Sequence, residues 1–159
     1  MANFVDPSPS AGLPGEVHTS QLNELGAVRK YSDGSEYIYL KGVSGVAAGM
    51  AVIYQPVTFA AVLVATGLKG DVAIATAAVD AATEYGWFLI VGQYATPSTL
   101  GSAIASNVPL FIGGVAGQID DTAVKGDQIM NAIVRNAAGG SAILQVNRAF
   151  VGHSNESTG

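Results

Sequence analysis

Val28-Arg29-Lys30-Tyr31 and Tyr37-Ile38-Tyr39-Leu40, on either side of Ser32-Asp33-Gly34-Ser35, decide the fold. β-Branched and aromatic residues suit a pleated, half-buried surface. Asp33-Gly34 supplies the positive backbone dihedrals of a tight turn, so residues 28–40 read as a hairpin. The same grammar continues downstream. Residues 50–54 make a short apolar strand after the turn Gly45-Val46-Ala47-Ala48-Gly49, and residues 59–66 make another, ended by Gly67. Residues 71–77 alternate: Val72, Ile74 and Thr76 face one way and Ala73, Ala75 and Ala77 the other, leaving one face of small residues for close approach of a second layer.

Trp87-Phe88-Leu89-Ile90-Val91 is apolar on both faces, the pattern of a central strand covered on both sides. Pro109-Leu110-Phe111-Ile112 follows, then the turn Gly113-Gly114-Val115-Ala116-Gly117. Residues 128–135 and 142–150 form a closing hairpin joined through 136–140. In its second strand Ala142, Leu144, Val146 and Phe150 share one face, with Ser141, Gln145 and Asn147 opposite. Helical competitors at 77–84 and 98–106 reach only about two turns each and border Gly or Pro. Regularly recurring turns predict an all-β chain: a small antiparallel β-sandwich or barrel with an extended N-terminal arm.

Three segments follow from this pattern. Residues 28–151 are the β domain. Residues 1–27 carry Pro7, Pro9 and Pro14, each of which removes a backbone donor and biases its predecessor to extended geometry. They read either as a solvated tail or as an arm that orders on a neighbouring subunit. In the second reading Phe4, Val5, Pro7, Pro9, Leu13, Pro14, Val17 and Leu22 are the partner-binding candidates. Residues 152–159 are a polar, frayed tail.

The chain has 159 residues, 49% hydrophobic and only 12% charged, with no Cys and a net charge of −5. The charged fraction is about half that of ordinary soluble domains. No charge occurs between Lys41 and Lys69, nor between Glu84 and Asp120. Charged side chains normally keep a monomer hydrated, so their scarcity points to a subunit of an assembly. Turn residues interrupt both uncharged stretches every few positions, which excludes continuous membrane helices. The acidic balance disfavours a nucleic-acid partner. The absence of Cys excludes disulfides and thiolate chemistry. Residues 1–7 show neither the basic nor the apolar region of a secretion signal.

A search for chemistry finds no catalytic pattern. His18 in the arm and His153 in the tail lack a carboxylate on a predictable rigid element, so both read as exposed histidines rather than metal or triad members. Asp120-Asp121 and Asp127 read as solvated turns, because the ligand spacing of a calcium loop is missing. Arg29-Lys30 read as hairpin surface. Tyr85, Trp87, Phe88, Leu110 and Phe111 are candidates for core or subunit interface. Exposed Trp87 and Tyr94 would instead suit sugar stacking in a glycan- or host-surface-binding module. No phosphate cradle or nucleophile elbow occurs, so no enzyme, cofactor or metal is expected.

Tyr85-Gly86-Trp87-Phe88-Leu89-Ile90-Val91-Gly92 resembles the Tyr-Gly-Trp strand of small head decoration, or capsid cement, proteins of tailed bacteriophages. Asn107-Val108-Pro109-Leu110-Phe111-Ile112, Gly114-Val115-Ala116-Gly117-Gln118-Ile119-Asp120 and the pair Ala132-Ile133-Val134-Arg135 and Ala142-Ile143-Leu144-Gln145-Val146 follow in that family's order. Val46-Ala47-Ala48-Gly49-Met50-Ala51-Val52 fits its opening strand, so the resemblance spans residues 28–150. It implies a non-catalytic virion protein, made in the host cytoplasm. Such a protein sits as a homotrimer on the capsid exterior and clamps neighbouring subunits of the major capsid protein. The longer Pro-rich arm departs from the family pattern.

Overall fold

The computed structural model describes residues 12–95, 97, 104–136 and 142–152. Among them there are eleven strands and no helix: β1 (Val17–His18), β2 (Val28–Lys30), β3 (Glu36–Lys41), β4 (Ala51–Tyr54), β5 (Ala61–Leu63), β6 (Gly70–Ala75), β7 (Tyr85–Ala95), β8 (Leu110–Ile112), β9 (Ile119–Asp120), β10 (Gln128–Asn136) and β11 (Ile143–Val151). All pair antiparallel, in the order β2-β3-β7-β6-β11-β10-β8-β9. The β4–β5 hairpin branches from β6, and β1 lies on β7. The sheet is open rather than closed into a barrel, as in a small β-sandwich.

β7 is the central strand that its two-sided apolar pattern predicts. One edge pairs with β3 from Tyr85 to Val91. The other edge meets β1 at Tyr85 and Gly86, β6 at Phe88 and Leu89, and β11 from Val91 to Ala95. β11 in turn leaves β7 and pairs with β6 through Phe150 and Val151. Three strands that each pair with the other two force the sheet to fold over at their junction, and two cores result. Val72, Ile74 and Leu89 pack with Leu110, Ile112, Leu144 and Val146. Ala73, Ala75 and Ala77 pack on the opposite side with Ile38, Leu40, Phe88 and Ile90. The alternation of residues 72–77 thus serves two layers. Each large side chain so buried contributes about 1.5–3 kcal/mol.

Several local expectations are corrected. In the first hairpin only Gly34 takes a positive φ, of 87°; Asp33 does not. The amide of Gly34 donates to Tyr31 O and that of Tyr31 to Ser35 O, so the loop is a wider one closed by a left-handed Gly. The strand expected at 59–66 shortens to β5: Phe59 stands at φ 50°, so the extended run starts after it, and the pairing with β4 reaches no further than Leu63. Phe150 does not share the inner face of Leu144 and Val146. Between the pairs Ala132↔Val146 and Met130↔Phe150, β11 spends three residues where β10 spends one. Arg148 (φ 49°) and Asn131 (φ 59°) take left-handed conformations there. The bulge reverses the parity, so Ala149 and Val151 point inward and Phe150 is 38% exposed. Residues 137–140 of the closing loop, and Ser141, lie outside the described residues.

Candidate interaction surfaces

The first surface is built by the segment from Gly12 to Ala27, which lies along the domain's own β3 and β7. Phe4, Val5, Pro7 and Pro9 are outside the described residues. Val17 and His18 pair with Gly86 and Tyr85. Beneath the segment sits a polar–aromatic cluster. Tyr39 packs 5.0 Å from Trp87, 5.7 Å from His18 and 6.3 Å from Tyr85, between ring centroids. Its hydroxyl lies 2.9 Å from His18 Nδ1 and accepts the amide of Leu22 at 3.2 Å. Burial holds the Tyr39 phenol above its usual range, and the Leu22 amide works the other way.

Arg29 is the second fastener. Hairpin alternation sets it opposite Tyr37, on the side that the N-terminal segment covers. It is only 4% exposed, so the expectation of a surface Arg29 is overturned. Its guanidinium lies 4.5 Å above the Trp87 ring and donates to Gly12 O at 2.8 Å and Asn23 Oδ1 at 3.4 Å. Such a stack contributes about 0.5–2 kcal/mol. The amide of Gly15 donates to Thr76 Oγ1 at 3.1 Å. His18 is likewise buried rather than exposed. Its Nε2 has no hydrogen-bond partner, with Glu16 Oε2 3.6 Å away.

The outer side of the segment mixes polar residues (Glu16, Thr19, Ser20, Gln21 and Glu24 are exposed) with three apolar ones. Leu13, Val17 and Leu22 are 55%, 39% and 47% exposed, while Pro14 is half-buried. Trp87, Phe88 and Leu110 belong to the interior; Tyr85 and Phe111 are half-buried. A sugar platform on Trp87 is therefore not available, and Tyr94 is half-buried against the first core.

The second surface is a cleft of about 520 Å³ where the β2–β3 hairpin stands beside the outer face of β7 and β11. Tyr37, Val91 and Gly92 give it an apolar base, Val146 only borders it because its side chain points into the first core, and Asp33, Ser35, Gln93, Gln145 and Asn147 supply the polar lining. Gly92 (φ 131°) keeps the base close: a Cβ there would stand 3.2 Å from Ser35 Cβ. Asp33 Oδ1 accepts the Ser35 hydroxyl at 2.6 Å and the Ser35 amide at 2.9 Å, which holds the Asp33 carboxyl below its usual range. Arg135 Nε donates to Gln145 Oε1 at 2.7 Å. Glu36 ties the hairpin to the bulge through Arg148, with Lys30 3.0 Å away. Sequence reasoning missed this site, since three separated segments assemble it.

The remaining acids act structurally. Asp127, expected in a solvated turn, is 2% exposed; it pairs with Lys69 at 3.0 Å and accepts the Gly67 amide at 3.0 Å. Asp120 caps the amides of Asp121 and Thr122, and Asp121 accepts that of Ala105. Among the described residues no group of three or more His, Asp or Glu is placed to hold a metal ion, and no helix is long and apolar enough to cross a membrane. Comparisons with protein-family models, curated proteins and solved structures gave no match.

Proposed function

We propose that this chain is a structural subunit of a viral shell: a decoration protein on the exterior of a tailed-phage capsid that bridges neighbouring major capsid protein subunits, as a homotrimer. The observation that carries the reading is the N-terminal segment. Arg29, Tyr39 and β1 fasten residues 12–27 flat on the β body, while Leu13, Val17 and Leu22 face solvent. Three exposed apolar side chains on a segment fastened to the body support a docking role for it. Scarce surface charge and other exposed apolar residues, Val57 at 86% and Val115 at 52% among them, support burial against companions. The mechanism is interface burial repeated over a lattice. A standard contact covers about 1,600 Å², and multivalency turns modest single contacts into a tight coat.

The test is light scattering on the purified protein, followed by co-sedimentation with undecorated tailed-phage capsids. Trimers that saturate the capsids are expected, with a Leu13→Ser, Val17→Ser, Leu22→Ser variant binding at least about tenfold more weakly. A monomer at high concentration that ignores every capsid offered overturns the reading.

A further inference from the structure

We infer that the cleft between the β2–β3 hairpin and the outer face of β7 and β11 is a binding site for a neutral saccharide. Its chemistry selects that class. No Lys, Arg or His stands among its lining residues, and Asp33 places a carboxylate on its wall. A phosphate or carboxylate ligand would meet repulsion from Asp33, and the nearest cation, Arg135, stands outside the lining with its Nε engaged by Gln145.

The groups present suit hydroxyls instead. Both hydrogen bonds from Ser35 fall on Asp33 Oδ1, which leaves Oδ2 open to accept from a ligand hydroxyl. Gln93 and Asn147 are exposed and make no side-chain hydrogen bond within the described residues. Each amide therefore offers one acceptor and two donors. Gln145 keeps its Nε2 donors, because Arg135 engages only Oε1. Adjacent hydroxyls on a pyranose ring both donate and accept, and a mixed amide–carboxylate array satisfies both roles. Val91 and the half-buried Tyr37 ring offer the apolar surface for the C–H face of such a ring.

Size and rigidity agree with this class. A volume of about 520 Å³ lies within the usual range for small-ligand sites and accommodates about one or two hexose rings. The walls are held from behind: Asp33 and Ser35 by their mutual bonds, Gln145 by Arg135, and the hairpin by the Glu36–Arg148 ion pair. Pre-organised polar groups lose little entropy on binding.

The inference is independent of the capsid reading, since the cleft and the N-terminal segment are different surfaces with different assays. The experiment is an amide chemical-shift titration of the full chain with methyl glucoside, methyl mannoside, methyl galactoside and N-acetylglucosamine. A parallel arm uses immobilised neutral oligosaccharides, which separates a free sugar from a surface glycan. The expected result is a saturable shift confined to residues 33–35, 92–93 and 145–147 with at least one sugar or oligosaccharide. Gln93→Ala and Asn147→Ala, both at exposed positions, should each weaken binding about threefold or more, and glucose 6-phosphate should bind more weakly than the neutral sugar. No saturable shift up to roughly 100 mM sugar together with no retention by the oligosaccharides overturns the inference. So do shifts confined elsewhere, or binding indifferent to both substitutions.

Discussion

Tyr39 shows how one side chain fixes where the N-terminal segment lies. Its ring fills the space between His18, Tyr85 and Trp87, and its hydroxyl meets polar groups of the segment, among them His18 Nδ1 and the Leu22 amide. Removing that oxygen leaves the buried His18 Nδ1 and the part-buried Leu22 amide without this partner. Tyr39→Phe should therefore cost about 1–3 kcal/mol in denaturant unfolding, far more than an exposed Tyr→Phe change. Limited proteolysis should cut the variant first between residues 12 and 25. Unchanged stability and cleavage would show that β1 and Arg29 hold the segment alone. The residue pattern disclosed little of this arrangement. Arg29 alternates correctly with Val28 and Lys30, which places it on a face, but only the returning segment decides that the face is covered. His18 was unreadable for the same reason: its burial depends on a tyrosine 21 residues away.

At the scale of elements, the hairpins were legible and the bulge was not. Asp33-Gly34 and the alternation of residues 72–77 are local signals, which mark the β2–β3 hairpin and the two-sided strand β6. The bulge at Arg148 has no such signal, since the left-handed position on β11 is an Arg; Asn147 stands one residue before it. A faint cue lies opposite, in Asn131, a residue type that tolerates left-handed geometry. Parity read straight through puts Phe150 in the core, where Phe→Ala would cost about 3–5 kcal/mol. Parity read through the bulge puts it outside. Phe150→Ala should then cost under about 1 kcal/mol, and Val151→Ala about 2 kcal/mol, by equilibrium denaturation. The reverse order would mean that β11 runs without interruption. The cleft escaped the sequence for a related reason. Gln93, Gln145 and Asn147 look like ordinary outward residues until the bulge and the hairpin bring them beside Asp33 and Ser35.

Across the whole molecule the tyrosines report on both cores and on the covered hairpin at once. Burial raises the phenols of Tyr31, Tyr37, Tyr39 and Tyr54; for Tyr54 the Asp71 carboxylate adds to it and Arg148 opposes it. Tyr37 packs against the first core and Tyr54 against the second, while Tyr39 lies under the N-terminal segment. Below about pH 10 these phenols are neutral in both the folded and the unfolded chain, and their contribution to stability is fully present. As the pH rises from that value toward the raised folded values, the unfolded chain releases its protons first. Stability is then lost progressively. Denaturant midpoints measured from about pH 8 to 12 should hold steady and then fall steeply above about pH 10. Tyrosinate absorbance from these four rings should appear together with loss of the β-sheet circular dichroism, not ahead of it. A tyrosinate signal that completes at the ordinary phenol value while the sheet signal persists would mean that the interior admits the charged form. The two-core packing described above would then be looser than the burial of these rings implies.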